Sequence, residues 1–234
     1  MTATTHKVIV ALDYANLADA KSLVSKLSPD YCHLKVGKEL FTATGPAFIE
    51  YLHSKHFKVF LDLKFHDIPT TVKKACEAAS QLGVWMINVH ASGGSSMLEA
   101  ALEGINKSNQ PPLLIAVTVL TSMNQKILEE IGVTTTLENQ VLRLAKLAEA
   151  SGLNGIVCSA KDLEFLKGQL HKSFLYVTPG IRMTGDASND QVRTLTPIEA
   201  IKAGSSHLVI GRPITQSANP SETLEKIYLE INKI

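Results

Sequence analysis

Short apolar runs recur along the chain, and each is followed by polar punctuation and then a stretch with helical spacing. The runs are Lys7 to Asp13 (KVIVALD), His33 to Gly37 (HLKVG), Val59 to Lys64 (VFLDLK), Met86 to Ala91 (MINVHA), Leu113 to Leu120 (LLIAVTVL), Gly155 to Ser159, Phe174 to Thr178 and His207 to Gly211 (HLVIG). At about five to eight residues each, they are too short for most helices and read as buried strands. Helical patterns fill the gaps. Asn16 can cap a helix carrying Leu17, Ala20, Leu23, Val24 and Leu27, and Pro46 can open one carrying Phe48, Ile49 and Leu52. Further helices are expected over about Thr70–Leu82, Ser96–Glu103, Thr136–Ala150 and Lys161–Leu170. Two more begin at Pro197 and at Asn219–Pro220.

Strands alternating with helices imply a parallel sheet. Eight such units in 234 residues imply one closed α/β domain over residues 1–234, a (β/α)8 TIM barrel. An open doubly wound sheet is the alternative. It usually carries a glycine-rich dinucleotide turn after its first strand, where this chain reads ALDYAN.

The charge balance narrows the class of partner. With 23 basic and 22 acidic residues the formal charge is +1, and no long basic block suggests nucleic acid or a membrane surface. No apolar stretch is long enough to span a bilayer. The 3 cysteines, Cys32, Cys76 and Cys158, match neither a metal knuckle nor a disulfide framework, and residues 1–7 lack a secretory pattern. A cytoplasmic protein is expected.

Charge nevertheless collects where a barrel keeps its chemistry. Asp62 and Lys64 lie at the end of the third strand, on one side of the chain by simple alternation, with His66 and Asp67 in the turn beyond. Two readings fit: a buried ion pair that holds the strand end, or an active site. In such barrels ligand groups come from the C-terminal strand ends. That rule gathers Asp13, Lys35, Asp62, Lys64, His90, Thr121, Ser122, Arg182 and Arg212 around one mouth, with Asp67 beside them. Arg212 follows Gly211 after strand eight, the usual place for a phosphate, and a solvent-exposed helix start is the other reading. Residues 180–193 suit a lid with Gly180 and Gly185 as hinges, in which Arg182 and Gln191 grip an anion, and an ordinary long surface loop is the other reading. His90 reads as a neutral barrel-top histidine and His66 as support for a carboxylate or the turn. No His, Cys and acid cluster has metal-site spacing, so no metal is expected, although Asp13 with Asp62 leaves a magnesium site open. No organic cofactor is indicated.

The segment DLKFHDIPTT at 62–71 resembles the signature of the orotidine 5'-phosphate decarboxylase family. ALD at 11–13, LKVGKE at 34–39, VTVLTS at 117–122, PGIR at 179–182 and VIGRPIT at 209–215 agree with it in the same order. Two positions depart from the pattern: Thr70 stands where asparagine is usual, and Met183 follows Arg182 where proline is usual. The resemblance implies decarboxylation of orotidine 5'-phosphate to UMP without a cofactor. It implies Lys64 as the proton donor to C6, Asp62 facing the substrate carboxylate, and Lys35 and Asp13 at the ribose. Thr121, with Ser122 beside it, is implied at the pyrimidine edge, and Arg182, Gln191, Gly211 and Arg212 at the phosphate. It further implies a homodimer in which Asp67 and Thr71 reach the partner's site.

Overall fold

A computed structural model describes residues 8–183 and 195–233. Eight parallel strands close into a barrel in sequence order. They are β1 (Val8–Leu12), β2 (His33–Gly37), β3 (Val59–Phe65), β4 (Met86–His90), β5 (Leu113–Val117), β6 (Gly155–Val157), β7 (Leu175–Thr178) and β8 (His207–Ile210). The helices between and after them are α1 (Leu17–Val24), α2 (Lys38–Thr44), α3 (Pro46–Ser54), α4 (Pro69–Gln81), α5 (Ser95–Ile105), α6 (Gln125–Glu130), α7 (Leu137–Ala150), α8 (Leu163–Leu166), α9 (Pro197–Ala203), α10 (Arg212–Thr215) and α11 (Pro220–Ile231).

The strand runs are almost uniformly apolar because both faces of each strand are covered. Alternation sorts them into two cores. Val8, Val10, Leu12, Leu34, Val36, Val59, Leu61, Ile87, Val89, Leu114, Ala116, Leu208 and Ile210 point outward into the layer beneath the helices. Ile9, Ala11, Phe60, Met86, Ile115, Val177 and Val209 fill the barrel interior. Lys35, Asp62 and Asn88 occupy positions of the inward set and are buried. The interior therefore changes from apolar to charged toward the C-terminal strand ends.

Local signals behave as their chemistry requires. Asn16, Thr136 and Asn219 cap α1, α7 and α11 through side-chain oxygens. Proline opens α3, α4, α9 and α11 near their first residues. Several expectations need correction, among them the sixth strand, which ends at Val157 rather than Ser159, and the first helix, which ends at Val24 rather than reaching Leu27. The fifth strand ends at Val117 rather than Leu120, because the Thr118 N–H and hydroxyl both close on the Val157 carbonyl and the chain then turns, with Met123 N–H bonded to Leu120 O. The helix expected over Lys161–Leu170 is a 3-10 turn (Ala160–Asp162) followed by the short α8. A Ser159–Asp162 capping box starts the turn, and the left-handed Gly168 lies just past the end. The third strand runs one residue further than expected, to Phe65. Two helices, α2 and α6, occupy stretches where none was expected.

Candidate active site

The organising feature is an irregularity in β3. Leu61 pairs with Ile87 and Phe65 with Val89, so Asp62, Leu63 and Lys64 face a single residue of β4, Asn88. Such bulges re-aim side chains. Lys64 takes φ +52, the left-handed region, which costs an L-residue roughly 1–2 kcal/mol. Simple alternation put Asp62 and Lys64 on one side at strand spacing. The bulge instead brings their charged ends into direct contact.

Asp62 is the hub. Its Oδ1 accepts from Lys64 Nζ at 2.6 Å and from Asn88 Nδ2 at 2.7 Å. Its Oδ2 lies 3.3 Å from Lys35 Nζ. Lys35 donates in turn to Asp13 Oδ1 at 3.1 Å. The chain of charges runs Asp13, Lys35, Asp62, Lys64 across three adjacent strand ends. Asp62 is 7% exposed and Lys35 8%. A buried charge needs such partners. Burial alone would raise the Asp62 pKa, but Lys35, Lys64 and Asn88 bring it below the ordinary carboxylate value. Burial alone would lower that of Lys35, but Asp62 and Asp13 hold it above the ordinary lysine value. Gly37, the neighbour of Asp62 in the β2–β3 register, leaves this space open: a Cβ there would stand 3.3 Å from Lys35 Nζ.

A cavity of about 500 Å³ opens over this array. Asp13, Lys35, Asp62 and Lys64 line one side. Pro179, Gly180, Arg182, Gly211, Arg212 and Gln216 line another, and Leu120 and Thr121 a third. Ala11, Phe60, Val117, Val157 and Val209 give it apolar walls. A smaller cavity of about 210 Å³ adjoins it beside Gly37 and Lys38. The main volume lies within the span of about 300–1,000 Å³ usual for small-molecule sites.

Gly211 closes β8 and leads directly into α10. A Cβ on it would meet Ala11 Cβ and Asp13 Oδ2 at 3.7 Å, ordinary contact, so its bareness keeps backbone open toward the cavity. Arg182 is buried to 9% exposure, and its guanidinium donates to the Ile181 carbonyl at 2.8 Å. Its backbone is tied to the chain beyond, through Arg182 N–H to Leu195 O. Positive groups thus stand at the β7–β8 end of the cavity, and the mixed-sign array stands at the β1–β3 end.

The structure gathers Asp13, Lys35, Asp62, Lys64, Thr121, Arg182, Gly211 and Arg212 at one cavity. Ser122 is exposed and stands outside its lining. Asp67 and Thr71 are exposed and also lie outside it; Asp67 accepts from the Ile68 N–H at 2.6 Å. Gln191 and the proposed hinge Gly185 lie outside the described residues. His90 is half-buried, 5.4 Å from His66 between ring centres. Burial, with His66, Lys38 and Lys64 nearby, pushes its pKa down to about 4, so the ring is neutral near pH 7. Among the described residues no group of three or more His, Cys, Asp or Glu side chains is placed to hold a metal ion. Sequence reasoning missed Asn88 and Gln216. Asn88 carried a signal, a polar residue within an apolar strand, but it is uncharged and lies two residues before the strand end.

A model of the Orotidine 5'-phosphate decarboxylase / HUMPS family matches residues 6–227. The orotidine 5'-phosphate decarboxylase of Aliivibrio fischeri is 55% identical over 229 residues, covering 97% of this chain and 98% of that protein. That of Vibrio vulnificus is 54% identical over 228 residues, covering 97% and 98%. The crystal structure of orotidine 5'-phosphate decarboxylase from Lactobacillus acidophilus superposes with a TM-score of 0.87 at 40% identity, covering 97% of this chain and 99% of that one.

Proposed function

The chain belongs to the orotidine 5'-phosphate decarboxylase / HUMPS family, and from that premise we propose that it converts orotidine 5'-phosphate to UMP and CO2, with Lys64 as proton donor. The observation that carries the reading is the Lys64 ammonium held 2.6 Å from a buried Asp62 carboxylate, within a cavity whose far side presents Arg182, Gly211 and Arg212. A nucleotide fits that polarity. Its phosphate lies toward the two arginines, its ribose hydroxyls toward Asp13 and Lys35, and its base between Thr121 and the apolar walls, with C6 over Lys64.

Loss of CO2 breaks the C6–carboxylate bond and leaves the electron pair on a vinylic carbon. The ring cannot spread that charge well. A fixed cation aimed at C6 can stabilise it, and a preorganised site does so without the cost of turning solvent dipoles. The Lys64 ammonium then passes a proton to C6, which gives UMP, and recovers a proton from solvent. Asp62 has a double role. It holds Lys64 in place, and it stands beside the substrate carboxylate, a repulsion that vanishes as CO2 departs. Stabilisation of the carbanion-like state is the larger effect. The phosphate is remote from this bond, yet its binding energy can serve the reaction if it draws the site closed.

The reading extends to a homodimer. Asp67, in the turn before α4, and Thr71, in its first turn, lie near Ile68, which is 66% exposed, outside the cavity lining of their own chain. In a dimer that buries Ile68, both polar groups can reach the partner's cavity, where Asp67 completes the charge array and Thr71 meets the ribose or phosphate end. A cytoplasmic setting suits three buried cysteines that form no disulfide among the described residues.

The test is the absorbance change of orotidine 5'-phosphate with purified protein, with and without EDTA. Conversion to UMP that chelator leaves unchanged is the expected result. Turnover only of a sugar phosphate, and only with added divalent metal, would overturn it.

A further inference from the structure

Asn88 is fully buried in the middle of β4, between apolar neighbours Ile87 and Val89. An aliphatic side chain would be the ordinary occupant of such a position. A buried amide is costly unless both of its ends are bonded. Both ends are, and both partners belong to the bulge in β3. Asn88 Oδ1 accepts from the backbone N–H of Lys64 at 2.8 Å. Asn88 Nδ2 donates to Asp62 Oδ1 at 2.7 Å. A backbone N–H can only donate and a carboxylate can only accept, so these two partners dictate which way the amide points. The side chain supplies what the interrupted β3–β4 ladder no longer provides, opposite three residues that face only one.

We propose that Asn88 is a positioning residue for the reaction: its amide holds the Lys64 backbone in its left-handed conformation and the Asp62 carboxylate in one orientation, and so sets where the Lys64 ammonium meets C6. Without the amide, the Lys64 N–H loses its acceptor and the bulge can relax toward regular strand. The ammonium then withdraws from its place over C6, although every charged group is still present. The inference rests on the reading of Lys64 as proton donor.

Two variants test it. For Asn88→Ala, kcat on orotidine 5'-phosphate is expected to fall on the order of 100-fold, the scale of a reacting group displaced by about 1 Å. Affinity for UMP, which needs the cavity but not the aim of Lys64, is expected to hold within a few-fold, as is the melting temperature within a few degrees. Asn88→Asp is close to isosteric. Its carboxylate still accepts from the Lys64 N–H, but it donates to Asp62 only when protonated. Its activity relative to wild type is therefore expected to rise as pH falls. The wild-type profile supplies the baseline for the other titrating groups of the array: Asp13 after β1, Lys35 on β2, Asp62 and Lys64 on β3, His66 in the turn after it and His90 on β4.

Wild-type kcat in Asn88→Ala would overturn the inference, as would equal losses of kcat, UMP affinity and melting temperature, the pattern of a merely structural residue. Should Asn88→Ala not fold, Asn88→Asp decides alone, and a pH profile parallel to wild type overturns the inference. Inactive wild-type protein would overturn the proposed function itself, whereas active wild type beside an equally fast Asn88→Ala overturns this inference only.

Discussion

Lys64 is held by its side chain and its backbone at once. Its ammonium bonds Asp62, and its N–H bonds Asn88. Removing the ammonium should therefore leave a folded protein with an intact phosphate end. For Lys64→Ala we expect a loss of kcat on the order of 1,000-fold or more, combining a lost general acid with lost stabilisation of charge at C6. UMP should still bind, and calorimetry beside the absorbance assay checks both. His90 gives a different readout. Its folded pKa is about 4, against an ordinary value of 6.5. Between those values the unfolded chain takes up a proton that the folded chain refuses, so stability is lost as pH falls from about 6.5 toward 4. Replacing His90 with asparagine should make the loss between pH 7.5 and 5 smaller by about 1 kcal/mol, a figure reduced for a half-exposed group. Urea melts at pH 7.5 and 5 compare the two proteins. At this scale the sequence was a good guide to charge. Asp13, Lys35, Asp62, Lys64 and Arg212 are conspicuous because charged residues at the ends of apolar runs need a reason. Asn88 escaped because one uncharged polar residue inside MINVH is a weak signal, and its partners come from a neighbouring strand.

Elements were legible in proportion to their burial. All eight strands could be read because burial on both faces leaves apolar runs of strand length. The short α2 and α6 could not be, since KELFTAT and QKILEE offer too few turns to display a period. Nor could the β3 bulge, which is a property of the pairing with β4 and not of either strand alone. The α4–α5 contact depends on a similar relation. A Cβ on Gly104 would stand 2.3 Å from the Lys73 carbonyl oxygen and 3.3 Å from Cys76 Cβ, so the two helices meet backbone to backbone there. The ion pair Lys73–Glu103 links the same two helices, and Glu77 of α4 pairs with Lys107 just past the end of α5. Gly104→Ala must push α5 away from α4 and should destabilise the fold by about 1–3 kcal/mol, as over-packing does. A melt should register that loss, with little change in UMP affinity, because Gly104 is remote from the cavity lining.

At the scale of the whole molecule, the number of chains that make one working site can be read from mixed variants. Within one chain the cavity already holds both lysines, Asp62 and the arginines. Asp67 and Thr71 stand exposed on the turn and first helical residues outside its lining. If Asp67 serves its own chain, mixing two disabled variants cannot help, because each protomer carries its own defect. If it serves the partner, the outcome differs. Pair a Lys64→Ala protomer with an Asp67→Ala protomer. The first offers a dead site, lacking its own lysine and its partner's aspartate. The second keeps Lys64 and receives an intact Asp67 from the first, so its site is whole. Random exchange makes half of the dimers mixed, each with one whole site, so activity should return to about a quarter of wild type. We expect that recovery when the two inactive homodimers are unfolded and refolded together, and none when they are assayed after simple mixing too brief for exchange. Absence of recovery, with mixed dimers demonstrated by a tag on one variant, would assign Asp67 to its own chain.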